Sequence, residues 1–92
     1  MTFEWDVQKA KTNLEKHSVR FEEAASVFFD ARALEMPDPE HSLKEQRTIL
    51  LGYSNIPRLL VVVFTVRNSS IRIISARLAS RKERIEYEKT TL

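Results

Sequence analysis

Ninety-two residues, 42% of them apolar and 30% charged, suffice for one folded domain with a modest core and exclude a disordered chain. A single Gly and three Pro argue against a flexible linker, and the lack of Cys removes disulfides and thiolate metal sites and suits a reducing compartment. The net charge of +2 hides an asymmetry: residues 1–46 hold six Lys/Arg against ten Asp/Glu, and residues 47–92 nine against three. That pattern suits a surface facing a polyanion, or charges that interleave once the chain is folded.

The predicted elements begin with Phe3-Glu4-Trp5, a short alternating strand, followed by Asp6 as N-cap. Val7, Ala10 and Leu14 recur at helical spacing, so a first helix runs to about His17-Ser18 with these three inward. Phe21, Ala24, Ala25 and Phe28 set a second helix, with Glu22 and Glu23 in its first turn, where negative charge is favoured. Trp5 reads as a core residue. Ala33 to Met36 reads as a strand stopped by Pro37-Asp38-Pro39, and Asp38 to Gln46 as a loop. Arg47 to Tyr53 is a strand with Arg47, Ile49, Leu51 and Tyr53 on one face. Leu59 to Val66 is apolar on both faces, as a central strand is. A turn at residues 67–70 leads into Ile71 to Arg77, with Ile71, Ile73, Ser75 and Arg77 on one face. Ser80 and Glu83 have capping-box spacing, so a last helix spans about Arg81 to Lys89 with Ile85 inward.

The order is β-α-α-β-β-β-β-α. Short connections make consecutive strands antiparallel. The expected architecture is α+β: an antiparallel sheet with two N-terminal helices on one face and a C-terminal helix leaving the last strand, a single domain over residues 1–92. The longest apolar run, Leu59 to Phe64, is too short to cross a bilayer. The acidic start lacks the apolar stretch of a signal peptide. A soluble cytoplasmic protein with no membrane association is therefore expected.

Chemistry concentrates where the last strand meets the last helix. Arg77, Arg81, Lys82 and Arg84 surround a helix start that already offers unpaired N–H groups. Arg47, Tyr53 and Arg77 line one concave surface if their faces agree, and guanidinium groups suit a phosphodiester. The alternative is that Arg77 and Arg81 pair with Glu83, Glu86 or Glu88. Lys16 and His17 lie at a helix end, where His17 is either a proton carrier or a cap for the last carbonyls. The two histidines, His17 and His41, have no zinc spacing. Asp38 and Glu40 are weak magnesium ligands, and Gly52 alone makes no phosphate loop. No metal or cofactor is expected. Tyr87 either stacks on a base or covers the sheet. RNA cleavage by 2′-hydroxyl attack needs proton transfer and stabilisation of charge on phosphorus. His17, Tyr53, Tyr87, Lys16 and Glu83 are all candidates for the proton work.

Phe3-Glu4-Trp5-Asp6, Asn13-Leu14-x-Lys16-His17, Phe21-Glu22-Glu23-Ala24 and Pro37-Asp38-Pro39-x-His41-Ser42 together resemble the N-terminal half of BrnT-type toxins. Arg58 to Val63, Ile71 to Arg77, Ser80 to Arg84 and Tyr87-Glu88 resemble the C-terminal half. The order of these motifs is more specific than any one of them. The resemblance implies a RelE-like fold and a type II toxin that cleaves RNA and inhibits translation. It implies a BrnA-type ribbon-helix-helix antitoxin, with operator DNA bound only through that partner. It places toxicity on basic residues, carried here to Arg47 and Arg77, then to Lys16, His17 and Arg81. Lys82, Arg84, Tyr53 and Tyr87 complete the expected RNA-binding set. The family has Gly where this chain has Ser18, and Ser or Thr where it has Arg20. A non-catalytic basic module that binds nucleic acid or a partner, or a degenerate toxin kept as a co-repressor, is the competing expectation.

Overall fold

A computed structural model describes residues 1–39 and 45–90. The expectations for Glu40, His41 and Ser42 lie outside these residues. The elements are β1 (Thr2–Glu4), α1 (Val7–His17), α2 (Phe21–Ser26) continuing into a 3-10 turn (Val27–Phe29), β2 (Leu34–Pro37), β3 (Thr48–Tyr53), β4 (Leu59–Arg67), β5 (Ser70–Leu78) and α3 (Arg81–Thr90). This is the expected α+β order.

Among the described residues the strands form one sheet in the order β1-β5-β4-β3-β2. All neighbours are antiparallel except β1, which pairs parallel to the start of β5 through Thr2–Glu4. The chain leaves β1 through α1 and α2 before it returns to the sheet, and a crossover of that kind permits a parallel pair. Asn68 and Ser69 both adopt positive φ in the tight turn between β4 and β5, which matches the twist of the strands they join.

Two cores lie on opposite faces of the sheet. Val19, Phe21, Ala24 and Val27 from the helical layer pack on Leu50, Leu60, Val62, Phe64, Ile73 and Ala76. Trp5 lies against Phe21 with ring centroids 5.9 Å apart, so its expected core role holds. The other face carries Leu51, Leu59 and Val61 and is partly covered by Tyr87 of α3. Two inward expectations fail. Val7 is 80% exposed and Ile85 45%. Val7 stands at the first position of α1, before that helix reaches the sheet. The helix packs instead through Ala10, Asn13 and Leu14. In α3 the side chain that meets the sheet is Tyr87, two residues beyond Ile85, so the helix is rotated from the expected phase.

Asn13 is the polar residue that ties the two layers together. It is buried, and its amide nitrogen donates to the carbonyls of Val19 (3.0 Å) and Ala76 (2.8 Å), while its oxygen accepts from the Ala76 N–H (3.0 Å). β1 covers only Ser70–Arg72, so the outer edge of β5 beyond it lacks a strand neighbour. The Asn13 carboxamide pairs with Ala76 as a peptide group would, and blunts that edge. α1 then ends at Ser18, which adopts the left-handed conformation (φ 57°) with its N–H donating to Leu14 O at 2.9 Å. That is the position where glycine costs least. Arg20 supplies no side-chain cap to α2.

A buried ion pair holds α2 to the β3–β4 connection. Glu23 is 8% exposed. Its carboxylate accepts from Arg58 Nε at 3.0 Å, from Arg58 Nη2 and from the Ser54 hydroxyl at 2.6 Å. Burial alone would raise its pKa; Arg58 and Ser54 outweigh that and hold it below the usual carboxylate value.

Candidate functional site

The face of the sheet opposite α1 and α2 is only partly covered, and the register fixes which side chains it presents. Leu34, Leu51, Val61 and Arg77 form one cross-strand row, and Met36, Ile49, Val63 and Ser75 form the next. The register slips at Val63/Phe64, which leaves Ile74 as a bulge residue. Arg77 and Tyr53 therefore share the open face, and α3 starts beside them. Ile71 and Ile73, expected on the face of Arg77, belong instead to the helix-side core, because the bulge at Ile74 inverts the alternation between Ile73 and Ser75.

α3 carries the expected capping box. Ser80 N donates to Glu83 Oε1 at 2.7 Å, and Glu83 N donates to Ser80 Oγ at 3.2 Å. Glu83 does more than cap. It takes both arms of Arg77 in a bidentate pair, each at 2.8 Å. These hydrogen bonds from Arg77, joined by the Ser80 N–H, pull the Glu83 carboxyl down to about 2. The carboxylate partner named as the alternative for Arg77 is thus the one present. Such a carboxylate is a poor proton acceptor near neutral pH, so Glu83 positions Arg77 and leaves proton transfer to other groups. Arg81, Lys82 and Arg84 are exposed around the same helix start.

Tyr53 and Tyr87 meet edge to face with centroids 5.3 Å apart. They have opposite fates. Tyr53 is half-buried, and its hydroxyl accepts from Arg84 Nη1 at 3.0 Å, which leaves its own O–H to donate outward. Tyr87 is 6% exposed and donates its hydroxyl to Asp30 Oδ2 at 2.7 Å. Burial, reinforced by that carboxylate, pushes the Tyr87 phenol up to about 12. The expected base-stacking or proton-donating role for Tyr87 is therefore corrected: the ring covers the sheet and anchors α3. Asp30 also accepts from the Tyr53 N–H at 2.9 Å and the Arg32 N–H at 3.0 Å. Burial raises its pKa, and these donors more than reverse it.

Arg47 does not converge with Tyr53 and Arg77. It lies one residue before β3, at the end opposite Tyr53 and six residues, or roughly 20 Å, from it. There it approaches Glu45 (3.9 Å), which also holds Arg67 at 2.8 Å, while Arg72 pairs with Glu4 at 2.9 Å. Arg67 and Arg72, unnoticed in the sequence, make a second basic end with Arg47. Alternation along β4 places Arg67 on the open face with Val61 and Val63, whereas Arg72 shares the face of Arg77 only because the bulge at Ile74 lies between them.

Lys16 and His17 belong to the helical layer, across the sheet from Arg77. With Lys9, Thr12 and Asn13 of α1 they line a groove of about 280 Å³ against Ile74 and Ser75. The expected single site thus divides into three places: Arg77 and Tyr53 with the start of α3, Arg47 at the far end, and Lys16 with His17 behind. Among the described residues no three His, Cys, Asp or Glu side chains gather in a metal-binding group.

Comparison with known proteins agrees with this architecture. The family model described as ribonuclease toxin, BrnT, of type II toxin–antitoxin system matches residues 5–83. The crystal structure of the Brucella abortus ribonuclease toxin, BrnT, superposes with a TM-score of 0.69 at 27% identity, covering 88% of this chain and 99% of that one. No curated protein matches.

Proposed function

Because this chain belongs to the family of BrnT ribonuclease toxins of type II toxin–antitoxin systems, we propose that it cleaves RNA without a metal ion and thereby inhibits translation. The match over residues 5–83 carries this reading. The open face supports a location for the chemistry. An RNA strand laid beside the start of α3 places a phosphodiester near Arg77, Arg81 and Lys82. The neighbouring 2′-hydroxyl attacks phosphorus and gives its proton to solvent, the bond from phosphorus to the 5′-oxygen breaks, and these cations stabilise the negative charge added in between. Tyr53 is the best-placed proton donor to the departing 5′-oxygen, since Arg84 already fills the acceptor side of its hydroxyl. Lys16 and His17 contact the strand after it passes the edge of β5. Arg47 and its neighbours grip it downstream.

The partner in this reading is an antitoxin of the BrnA ribbon-helix-helix type that covers the basic face. The complex, through that partner, binds operator DNA. The protein acts in the cytoplasm. The bidentate Arg77–Glu83 pair favours a second reading, a basic module that binds without cutting. Induced expression in bacteria separates the two. The native chain should arrest growth and fragment bulk RNA, and Arg77→Ala and Tyr53→Phe should each relieve the arrest while remaining folded by circular dichroism. Native expression that leaves growth and RNA intact would overturn the nuclease reading.

A further inference from the structure

Between the open face and α3 lies a cleft of about 300 Å³. Its floor is aliphatic: Met36, Ile49, Leu51 and Val61, contributed by β2, β3 and β4. Its wall is charged: Arg77, Lys82, Glu83 and Glu86. We infer that this cleft is a nucleobase pocket that selects guanine beside the phosphate held at the start of α3. The inference rests on the ribonuclease reading above and adds a base preference to it.

A base has two apolar faces and a polar edge. The cleft has the matching surfaces, an apolar floor and a polar wall. A purely apolar side chain from a partner would satisfy the floor and offer Glu86 no donor. The two wall carboxylates differ. Glu83 is committed to Arg77, whereas no ion pair within the described residues engages Glu86. An ionised carboxylate only accepts hydrogen bonds. Guanine alone among the four bases offers two adjacent donors, N1–H and N2–H, on its pairing edge. Adenine and cytosine place an acceptor beside their amino group, and uracil flanks its single N–H with two carbonyls. Glu86 can therefore take two parallel hydrogen bonds from guanine and at most one from the others. Lys82 lines the same wall and supplies a cation for the phosphate of that nucleotide.

The test uses the full chain. The methyl resonances of Met36, Ile49, Leu51 and Val61 are followed during titration with each of the four 5′-mononucleotides. Cut sites are mapped on an unstructured RNA of mixed sequence. The guanine nucleotide should shift these methyls at concentrations about tenfold below the other three. Cutting should fall next to guanine, and Glu86→Gln should lower that preference by about the same factor. Glu86 is exposed, so the substitution leaves folding intact. Cutting with no base preference, or with a preference that Glu86→Gln leaves unmoved, overturns the pocket and spares the nuclease reading. Methyl shifts elicited by an antitoxin and by no nucleotide also overturn it, since the cleft is then a partner's seat. A folded chain that cuts no RNA overturns the nuclease reading itself.

Discussion

Asn13→Ala should cost this protein a large share of its stability. The native side chain satisfies three buried backbone groups, at 3.0 Å, 2.8 Å and 3.0 Å. Truncation leaves the Ala76 N–H as an orphan, at about 1–3 kcal/mol. It also removes donors from the Val19 and Ala76 carbonyls, at about 0.5–1 kcal/mol each. The sum is roughly 2–5 kcal/mol against a total near 5–15 kcal/mol. In urea, with a slope near 1 kcal/mol per molar, the midpoint should fall by about 2 M or more. Asn13→Asp is the sharper variant, because it keeps the shape and loses both donors. Its carboxylate would face two carbonyl oxygens at hydrogen-bonding distance, so it should be destabilised most at neutral pH and partly recover in acid, where the carboxyl regains a proton. Amide exchange at Ala76 should accelerate in both variants. A midpoint within 0.5 M of native for Asn13→Asp, as an order-of-magnitude threshold, would refute the bridging role.

Four further outcomes follow. Ser18→Gly should raise stability by about 0.5–1 kcal/mol, because glycine adopts φ 57° without the steric cost serine carries; thermal melting reads it. Gly52→Ala should lower stability by about 1–3 kcal/mol, since a Cβ there meets Ala33 Cβ at 2.9 Å and Asp30 Oδ2 and Val27 Cγ1 at 3.0 Å. Arg58→Ala should cost about 2 kcal/mol or more at pH 7, between surface and buried ion-pair values, because it strands Glu23. As the folded Glu23 pKa is depressed, that cost should shrink as pH falls below the ordinary carboxylate range in acid denaturation curves. Glu83 is held near 2 instead of 4.5, so its contribution is complete above pH 4.5 and drains as pH falls toward 2. Glu83→Gln should remove about 1–2 kcal/mol of pH-dependent stability across that window, after allowance for solvent around the half-exposed Arg77, and a flatter profile of melting temperature against pH reads it.

Most of the fold was legible because each element carries its own punctuation. Asp6, the Ser80–Glu83 box, Pro37 and the Asn68-Ser69 turn each mark a boundary, and the structure places boundaries within a residue or two of them. Period-2 alternation grouped Tyr53 with Ile49 and Leu51 correctly, but it put Arg77 with Ile71 and Ile73, and only the bulge at Ile74 turns Arg77 to the open face. The six residues from Arg47 to Tyr53 already imply roughly 20 Å along an extended strand, a separation legible in the sequence that argued against a common site. The helix phases were harder. Asn13 is polar at an inward position three residues after Ala10, and its value depends on a strand edge sixty-three residues away. Tyr87 fits either face of a short polar helix, and only Asp30, far off in sequence, decides it. Ion-pair choice is equally non-local: the local Glu83 partner was foreseeable, whereas Glu23 with Arg58 and Glu45 with Arg67 were not.

The anchoring of α3 has a consequence for motion. One buried phenol ring and its bond to Asp30 are the principal tie between that helix and the rest of the molecule, along with the exposed pairs Arg77–Glu83 and Arg84–Tyr53. Detaching it forfeits roughly 3–4 kcal/mol of burial and hydrogen bonding. That is less than global unfolding, so the C-terminal segment should lift away in about one molecule in several hundred at equilibrium while the strands stay paired. Whatever reaches the sheet from that side meets a surface that uncovers itself spontaneously.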